Sequence, residues 1–396
     1  MKPSPRILLL ATLDALGVTR LPHLFHQAGC HVTVLAPRHL AVCRSRYVAR
    51  RFEAEAAHDV YVEQLRQHLS VTDYDWVIVC DESLLWELTR RRAANASETW
   101  IDRCLPVAAE KAALIASKHH FLAVAQVAEL PVPSLTICAS PAAAAQVAQR
   151  LGYPVILRAE RSMSGSGIRL INSQQELAQN YADLAQTGAV AVQRYLANAR
   201  TAITEVLFAH GRLVAWNSAY LVTGWPTPLA ASCVREPMDH PEIEPLLQCI
   251  GALTGFHGLG GVDWLHDTQT GQLHLLEFNP RPTPGYHLAA RAGVDFAAAL
   301  RELLAGQSGR QSPQLQRGVQ SQDYLFPQYL YRALDDQQYR QMLRVWREVP
   351  WHDPLLVAAH LRRLCGHYLP DQWRTYMRRL RMEFSQPSPF TSRATR

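Results

Sequence analysis

Between Gly258 and Arg281 the sequence reads GLGGVDWLHDTQTGQLHLLEFNPR, and its polar residues are of the types that hold a hard cation. Asp263 and Glu277 offer carboxylates and Asn279 an amide oxygen. Such donors suit Mg²⁺, which keeps several waters and takes its remaining ligands from substrate phosphates; Mn²⁺ accepts the same donor types. The pattern predicts a β-hairpin, with Gly261–His266 and Gln272–Phe278 flanking a turn at Asp267–Gly271. Side chains alternate along a strand, so Glu277 and Asn279 share a face. A turn of five residues sets Asp263 opposite Leu275 and on that same face. Leu, Val, Trp and Phe on both faces imply a covered sheet, where an acid pair without a cation is costly. Arg281 adds a positive charge aimed beyond the metal. The plain alternative is an ordinary hairpin with acids at its exposed ends.

A second constellation is Arg161–Arg169, RSMSGSGIR, which follows the strand Val155–Leu157. Small residues let the backbone approach phosphates, and its N–H groups can cradle them. The segment lacks the GK[ST] of a P-loop, so by itself it is also readable as a Ser/Gly turn. Within Thr223–Glu236, Arg235 could hold a substrate carboxylate in a bidentate pair or be a plain solvated arginine. Cys233 is expected to be packing, since no base lies near it in sequence.

Together these residues resemble the ATP-grasp superfamily, in its carbamoyl-phosphate-synthase-like and carboxylate–amine ligase branches. There an acid followed by Glu-x-Asn-x-Arg closes the nucleotide site. The resemblance implies that Asp263, Glu277 and Asn279 hold one or two Mg²⁺ ions and that Arg281 stabilises charge on the transferred phosphoryl group. It implies that a flexible loop containing Ser164, Gly165, Ser166 and Gly167 folds over the β- and γ-phosphates of ATP. Two cations, Lys118 in SKHHFLAVAQVAELPVPS and Arg158 in PVILRA, then meet the phosphates. Arg158 stands where relatives carry lysine, keeping the charge in a broader planar fork. AVAVQRYLA resembles the hinge whose backbone reads adenine, placing that contact at Gln193, Arg194, Tyr195 and Leu196. The family's ribose-binding acid has no counterpart, because Asn198 and Ala199 stand in its place. His119 and His120 are expected at the surface.

The elements that must position these groups are strands alternating with helices in residues 1–110, which predict a parallel sheet in a Rossmann-like α/β domain. Arg6–Leu10, His31–Leu35 and Asp75–Cys80 are its strands, and Val18–Ala28 and Ser83–Arg92 its helices. The domain lacks the GxGxxG of a dinucleotide site. By the resemblance it is a pre-ATP-grasp domain, followed by a small lobe (111–188) and a large lobe (189–310) of antiparallel strands with an inserted loop at 222–240. A helical C-terminal extension (313–384) and a disordered tail (385–396) complete an α/β and α+β chain. The extension is expected to pack on the ligase rather than on lipid, its apolar runs being cut by Pro354 and Pro370.

Composition narrows the alternatives. The 396 residues suit two or three domains. The apolar run Ile7–Ala11 is too short for a signal peptide, and no stretch reaches membrane-span length; a cytoplasmic protein is expected. Eight scattered cysteines show neither a disulfide framework nor a zinc spacing. The formal charge of +6 belongs to the C-terminal stretch, where thirteen Arg after Gln311 outnumber seven acids. No nucleic-acid motif accompanies it. The reading is therefore an ADP-forming ligase with a small-molecule carboxylic acid and an amine as substrates, its oligomeric state left open. A nucleotide-binding regulatory protein and a bicarbonate-using carboxylase-like enzyme are the alternatives.

Overall fold

Arg6–Leu10 (β1) is buried from Ile7 onward, as a strand inside a parallel sheet must be. The computed structural model describes residues 3–14, 17–161, 165–227, 230–307, 309–313 and 321–368. After β1 come Leu21–Gln27 (α1), His31–Ala36 (β2), Val48–Glu53 (β3), His58–Val71 (α2), Trp76–Val79 (β4) and Glu82–Ala94 (α3). The strands form a parallel sheet in the order β3-β2-β1-β4. β3 is invisible to a hydrophobic reading because everything after Val48 in it is exposed, as befits an edge strand blunted by arginines. α1 begins three residues later than expected, with Pro22 in its first turn.

Ala112–Ala116 (α4) and Lys118–Val127 (α5) lead into a second, four-stranded sheet. Its elements are Leu135–Cys138 (β5), Pro141–Leu151 (α6), Val155–Ala159 (β6), Ile168–Ile171 (β7), Gln174–Ala185 (α7) and Val190–Arg194 (β8). The strands run antiparallel in the order β5-β8-β6-β7. Helix starts are written in the sequence. Ser117, Ser140 and Ser173 each accept the N–H three residues on, and Pro141 opens α6. This lobe has an apolar core of its own, built from Leu157, Val192, Leu177 and Ala148 among others.

The third sheet takes Ala199–Ala209 (β9), Arg212–Gly224 (β10), Ser232–Pro237 (β11), Gly258–Asp267 (β12) and Leu273–Asn279 (β13), with Ile243–Thr254 (α8) crossing between. A 3-10 helix at Tyr286–Ala292 and Phe296–Leu304 (α9) follow. The order is β13-β12-β9-β10-β11-β14, the last strand, Asp323–Tyr324 (β14), coming from the C-terminal extension. The expected loop at 222–240 thus contains a strand. Pro226 and Pro228 lie near its start, whereas Cys233, Val234 and Arg235 are buried in the sheet. One continuous core joins this sheet to the N-terminal domain, through Leu8, Tyr61, Leu84, Phe121, Phe208, Phe256 and Phe278. The extension continues as Gln328–Asp335 (α10), a 3-10 helix at Tyr339–Glu348 and Pro354–Tyr368 (α11). Phe326, Tyr329 and Leu330 seat it on Cys233 and Val234. Residues 369–396, with the expected tail, lie outside the described residues. Among the described residues no helix is long and apolar enough to cross a membrane, and all eight cysteines are free.

Candidate functional site

The hairpin forms, in a different register from the expected one. Asp267 N–H bonds the Gln272 carbonyl at 2.9 Å, so four residues make the turn. Trp264 then faces Leu275, a bulge intervenes, and Asp263 faces Glu277. Leu276 is the extra residue, and its carbonyl accepts a hydrogen bond from Arg158 at 3.0 Å. The shorter turn and the bulge shift the register by two residues, which keeps the faces as expected. The two carboxylates therefore lie opposite each other rather than diagonally.

Around that pair the structure gathers three elements distant in sequence. Lys118, at the first position of α5, places its ammonium 2.7 Å from Glu277 and 3.1 Å from Glu82. Arg158 on β6 reaches Glu277 at 3.2 Å and the side-chain oxygen of Gln193 on β8 at 3.3 Å. Arg281 lies 3.4 Å from the Asn279 oxygen and 3.6 Å from Glu82, while the Asn279 amide donates to Asp263 at 3.1 Å. Three carboxylates thus face three cations in a largely buried cleft.

Burial sets the protonation of this cluster. It pushes the Asp263 carboxyl well above the usual range, and the facing Glu277 charge adds to the shift. Burial acts on Glu277 in the same direction, yet Lys118 and Arg158 outweigh it and hold that carboxyl low. Burial likewise works against the Lys118 charge, and Glu277 and Glu82 more than offset it, leaving its pKa raised. Arg158, fully enclosed, falls below its ordinary value because burial dominates.

Among the described residues no group of three or more His, Cys, Asp and Glu could hold a metal alone. Two carboxylates on facing strands plus one amide oxygen nevertheless match Mg²⁺, which needs few protein ligands beside phosphate and water. The unfavourable like-charge contact between Asp263 and Glu277 is what a divalent cation would relieve, so the donor set fits the ion.

Glu82 escaped the sequence reading. It lies in the first turn of α3, just past the carboxyl end of β4, behind the cap Asp81 that accepts from the Leu84 N–H at 2.9 Å. The carboxyl edge of a parallel sheet is where such domains bind ligands, and the pair Asp81-Glu82 after DWVIVC was the available signal. Trp86, one turn on, lies under Lys118 and Arg161 with ring distances of 6.0 and 5.8 Å. His119 corrects the surface expectation: it is buried, 2.8 Å from Glu160, whereas His120 is exposed. Arg235 is not solvated either. It is 2% exposed, donates to Glu205 at 2.6 Å and to Ser232 at 2.8 Å.

The remaining expected residues sit around this cleft. Ser164 lies outside the described residues. Gly165, at φ +75°, begins the return of the loop; the Ser166 carbonyl accepts from Arg169 at 2.7 Å, and Gly167 closes onto Ala159 at 2.9 Å. Gln193 is buried, Arg194 exposed, and Tyr195 and Leu196 half-buried. They form the passage from the small lobe to the large one. Arg158 therefore ties this passage to the hairpin through Gln193 and Glu277.

Residues 117–216 match the family described as carbamoyl-phosphate synthase L chain, ATP binding domain. The chain is 28% identical over 191 residues to D-alanine–D-alanine ligase B of Pseudomonas putida, covering 44% of this chain and 59% of that protein. It is 23% identical over 174 residues to acetyl-CoA carboxylase of Schizosaccharomyces pombe, covering 40% of this chain but 7% of that one. Among solved structures it resembles N5-carboxyaminoimidazole synthetase of Staphylococcus aureus complexed with ADP, at TM-score 0.66 and 15% identity, over 86% of this chain and 87% of the other. It also resembles the biotin carboxylase domain of Hydrogenobacter thermophilus 2-oxoglutarate carboxylase with MgADP and bicarbonate, at TM-score 0.63 and 16% identity, over 79% and 72%. An N-terminal parallel sheet followed by two antiparallel sheets gives the chain the ATP-grasp fold of these structures, and the matched segment lies across the second sheet and the start of the third. Its relatives include both carboxylases and a ligase.

Proposed function

We propose that the chain is an ADP-forming ligase that uses MgATP to activate a carboxylate as an acyl phosphate and passes it to an amine or similar nucleophile. The observation that carries this reading is the facing pair Asp263 and Glu277, ringed by Lys118, Arg158 and Arg281. A nucleotide-binding module without turnover has no use for a phosphate-facing arginine beyond a metal pair.

In this reading Asp263, Glu277 and Asn279 hold Mg²⁺, which when bound neutralises charge on the β- and γ-phosphates. The chain does the rest by position and fixed charge. Lys118 and Arg158 meet the phosphates from the small-lobe side, together with the phosphate loop that the resemblance assigns to residues 164–167. Gln193, Arg194, Tyr195 and Leu196 hold the base along their backbone. Arg281 meets charge on the transferred phosphoryl group, and Glu82 keeps Arg281 and Lys118 on the reacting side of the cleft. The substrate carboxylate attacks the γ-phosphorus, ADP leaves, and the nucleophile then displaces phosphate from the acyl carbon.

The test is a screen of amino acids, small carboxylic acids and bicarbonate for substrate-dependent ADP formation with MgATP. One acid, with or without an amine, should raise ADP release well above the basal rate. Stimulation by bicarbonate alone would shift the assignment to the carboxylase reading. Nucleotide binding with no stimulation across the screen would favour the regulatory one.

A further inference from the structure

A cavity of about 420 Å³ lies against the stretch that follows Arg281, from Thr283 onward, within the size range of small-molecule sites, about 300–1,000 Å³. Three parts of the chain wall it. They are Gly17–Gln27 from the N-terminal domain, the stretch Thr283–Ala297 after the hairpin, and Arg347–Leu356 from the extension. A Cβ on Gly17 would lie 2.7 Å from the Pro282 carbonyl, so the N-terminal loop rests on the residue next to Arg281.

The polar groups of this cavity are unequally satisfied. Glu348 is fully engaged, its carboxylate taken by His287 at 3.1 Å and by Arg291. Arg291 is shared with Asp323 as well. Arg20 differs: among the described residues its guanidinium donates only to the Glu348 carbonyl and pairs with no carboxylate. Burial draws its pKa down to about 10, and the Glu348 charge offsets only part of that. Arginine carries five donors, Arg20 lines the cavity, and among the described residues only one hydrogen bond is recorded for it. His23 and His287, both lowered to about 4 mainly by burial, are neutral near pH 7 and add hydrogen-bonding capacity without charge. Phe296, Val349 and Leu356 supply an apolar side.

We infer that this cavity receives the nucleophilic substrate, and that this substrate carries an anionic group, carboxylate or phosphate, which Arg20 binds. The inference rests on the ligase reading. The C-terminal extension is then part of the substrate site, since one wall of the cavity belongs to it. A bidentate arginine suits both anions, and the apolar side selects a ligand with a hydrocarbon or ring body over a free inorganic ion.

The experiment titrates the full chain, saturated with a non-hydrolysable MgATP analogue so that the γ-phosphate position is filled. Succinate and inorganic phosphate serve as separate probes, read by calorimetry. At least one should bind, and the stronger identifies the anion. Arg20→Gln should weaken that binding at least tenfold, Arg20→Lys should recover part of it, and the affinity for the analogue should stay unchanged in both. If neither probe binds, or if Arg20→Gln binds as the parent does, the inference is wrong. If the analogue itself fails to bind, the ligase reading fails instead.

Discussion

Asp263 and Glu277 face each other across the β12–β13 ladder, and their environments drive their carboxyls in opposite directions. Glu277 is kept ionised by Lys118 and Arg158, while Asp263 lacks a cation at hydrogen-bonding distance among the described residues and accepts only the Asn279 amide. The site is asymmetric, with Glu277 ion-paired and held low and Asp263 pushed up by burial. A divalent ion bound there would offset the like-charge contact between the two carboxylates.

Nucleotide binding should therefore depend on the metal. At about 100 times its Kd a ligand stabilises by roughly 2.7 kcal/mol, so a non-hydrolysable ATP analogue with Mg²⁺ should raise Tm by a few degrees. The analogue with a chelator should raise it much less. Asp263→Asn should remove most of the metal-dependent part. An equal shift with and without Mg²⁺ in the parent protein would contradict the site described.

Arg235 and Glu205 form a second acid–base pair, at 2.6 Å and both at most 2% exposed. Gly285 passes over it so closely that a Cβ there would lie 2.1 Å from Glu205 and 2.2 Å from Arg235. Breaking a buried pair by removing one partner costs about 3–5 kcal/mol. Arg235→Met should lower the urea midpoint accordingly, and the double variant with Glu205→Leu should regain part of the loss. An unchanged midpoint for Arg235→Met would show that the pair does not hold the sheet together, and would leave Arg235 free to serve a substrate.

Several histidines are buried neutral, which fixes the acid side of the stability profile. Burial lowers His257 to about 4, helped by the stacked His210, and His360 to about 3. The unfolded chain, with histidines near 6.5, binds more protons than the folded one between about pH 6.5 and 4. Stability is then lost as pH falls through that window, by up to about 1.4 kcal/mol per pH unit for each such group. Urea midpoints measured from pH 7 to 4.5 should fall, and His257→Gln should make the fall shallower. A flat profile across that range would refute the neutral burial.

Much of this was legible in the sequence because local signals and fold agreed. DWVIVC, RILLL and the serine-capped helices announce their own structure. The hairpin's faces were readable from the period of two, which survives a two-residue slip. Its register was not, since the bulge at Leu276 has no composition signal and is completed by Arg158 from another lobe. Glu82 and Arg20 were missed for the same reason. Each is an ordinary charged residue near a helix start, and only the tertiary fold brings one to Lys118 and the other to the wall of the cavity beyond Arg281. β11 was hidden by the prolines before it and by the buried Arg235, whose partner Glu205 lies two strands away.

The chemistry itself gives the last prediction: turnover should yield ADP and phosphate, not AMP and pyrophosphate. Asp263, Glu277 and Asn279 offer their oxygens on one face of the hairpin, and Arg281 continues from the same strand. In the ligase reading, positive charge would therefore gather at one end of the triphosphate, beside Arg281 and the hairpin. Neutralising charge there favours loss of the γ-phosphoryl group and leaves the α-phosphorus unassisted. The activated species is then an acyl phosphate, so hydroxylamine added with the correct acid should trap a hydroxamate. Glu277→Gln keeps the shape of the side chain but removes the charge that pairs with Lys118 and Arg158 and that would hold the metal. It should lower kcat by about 10²–10³, as losing one preorganised electrostatic contact does, with the circular dichroism spectrum unchanged. Formation of AMP with the true substrate, or normal turnover by the folded Glu277→Gln protein, would falsify this mechanism.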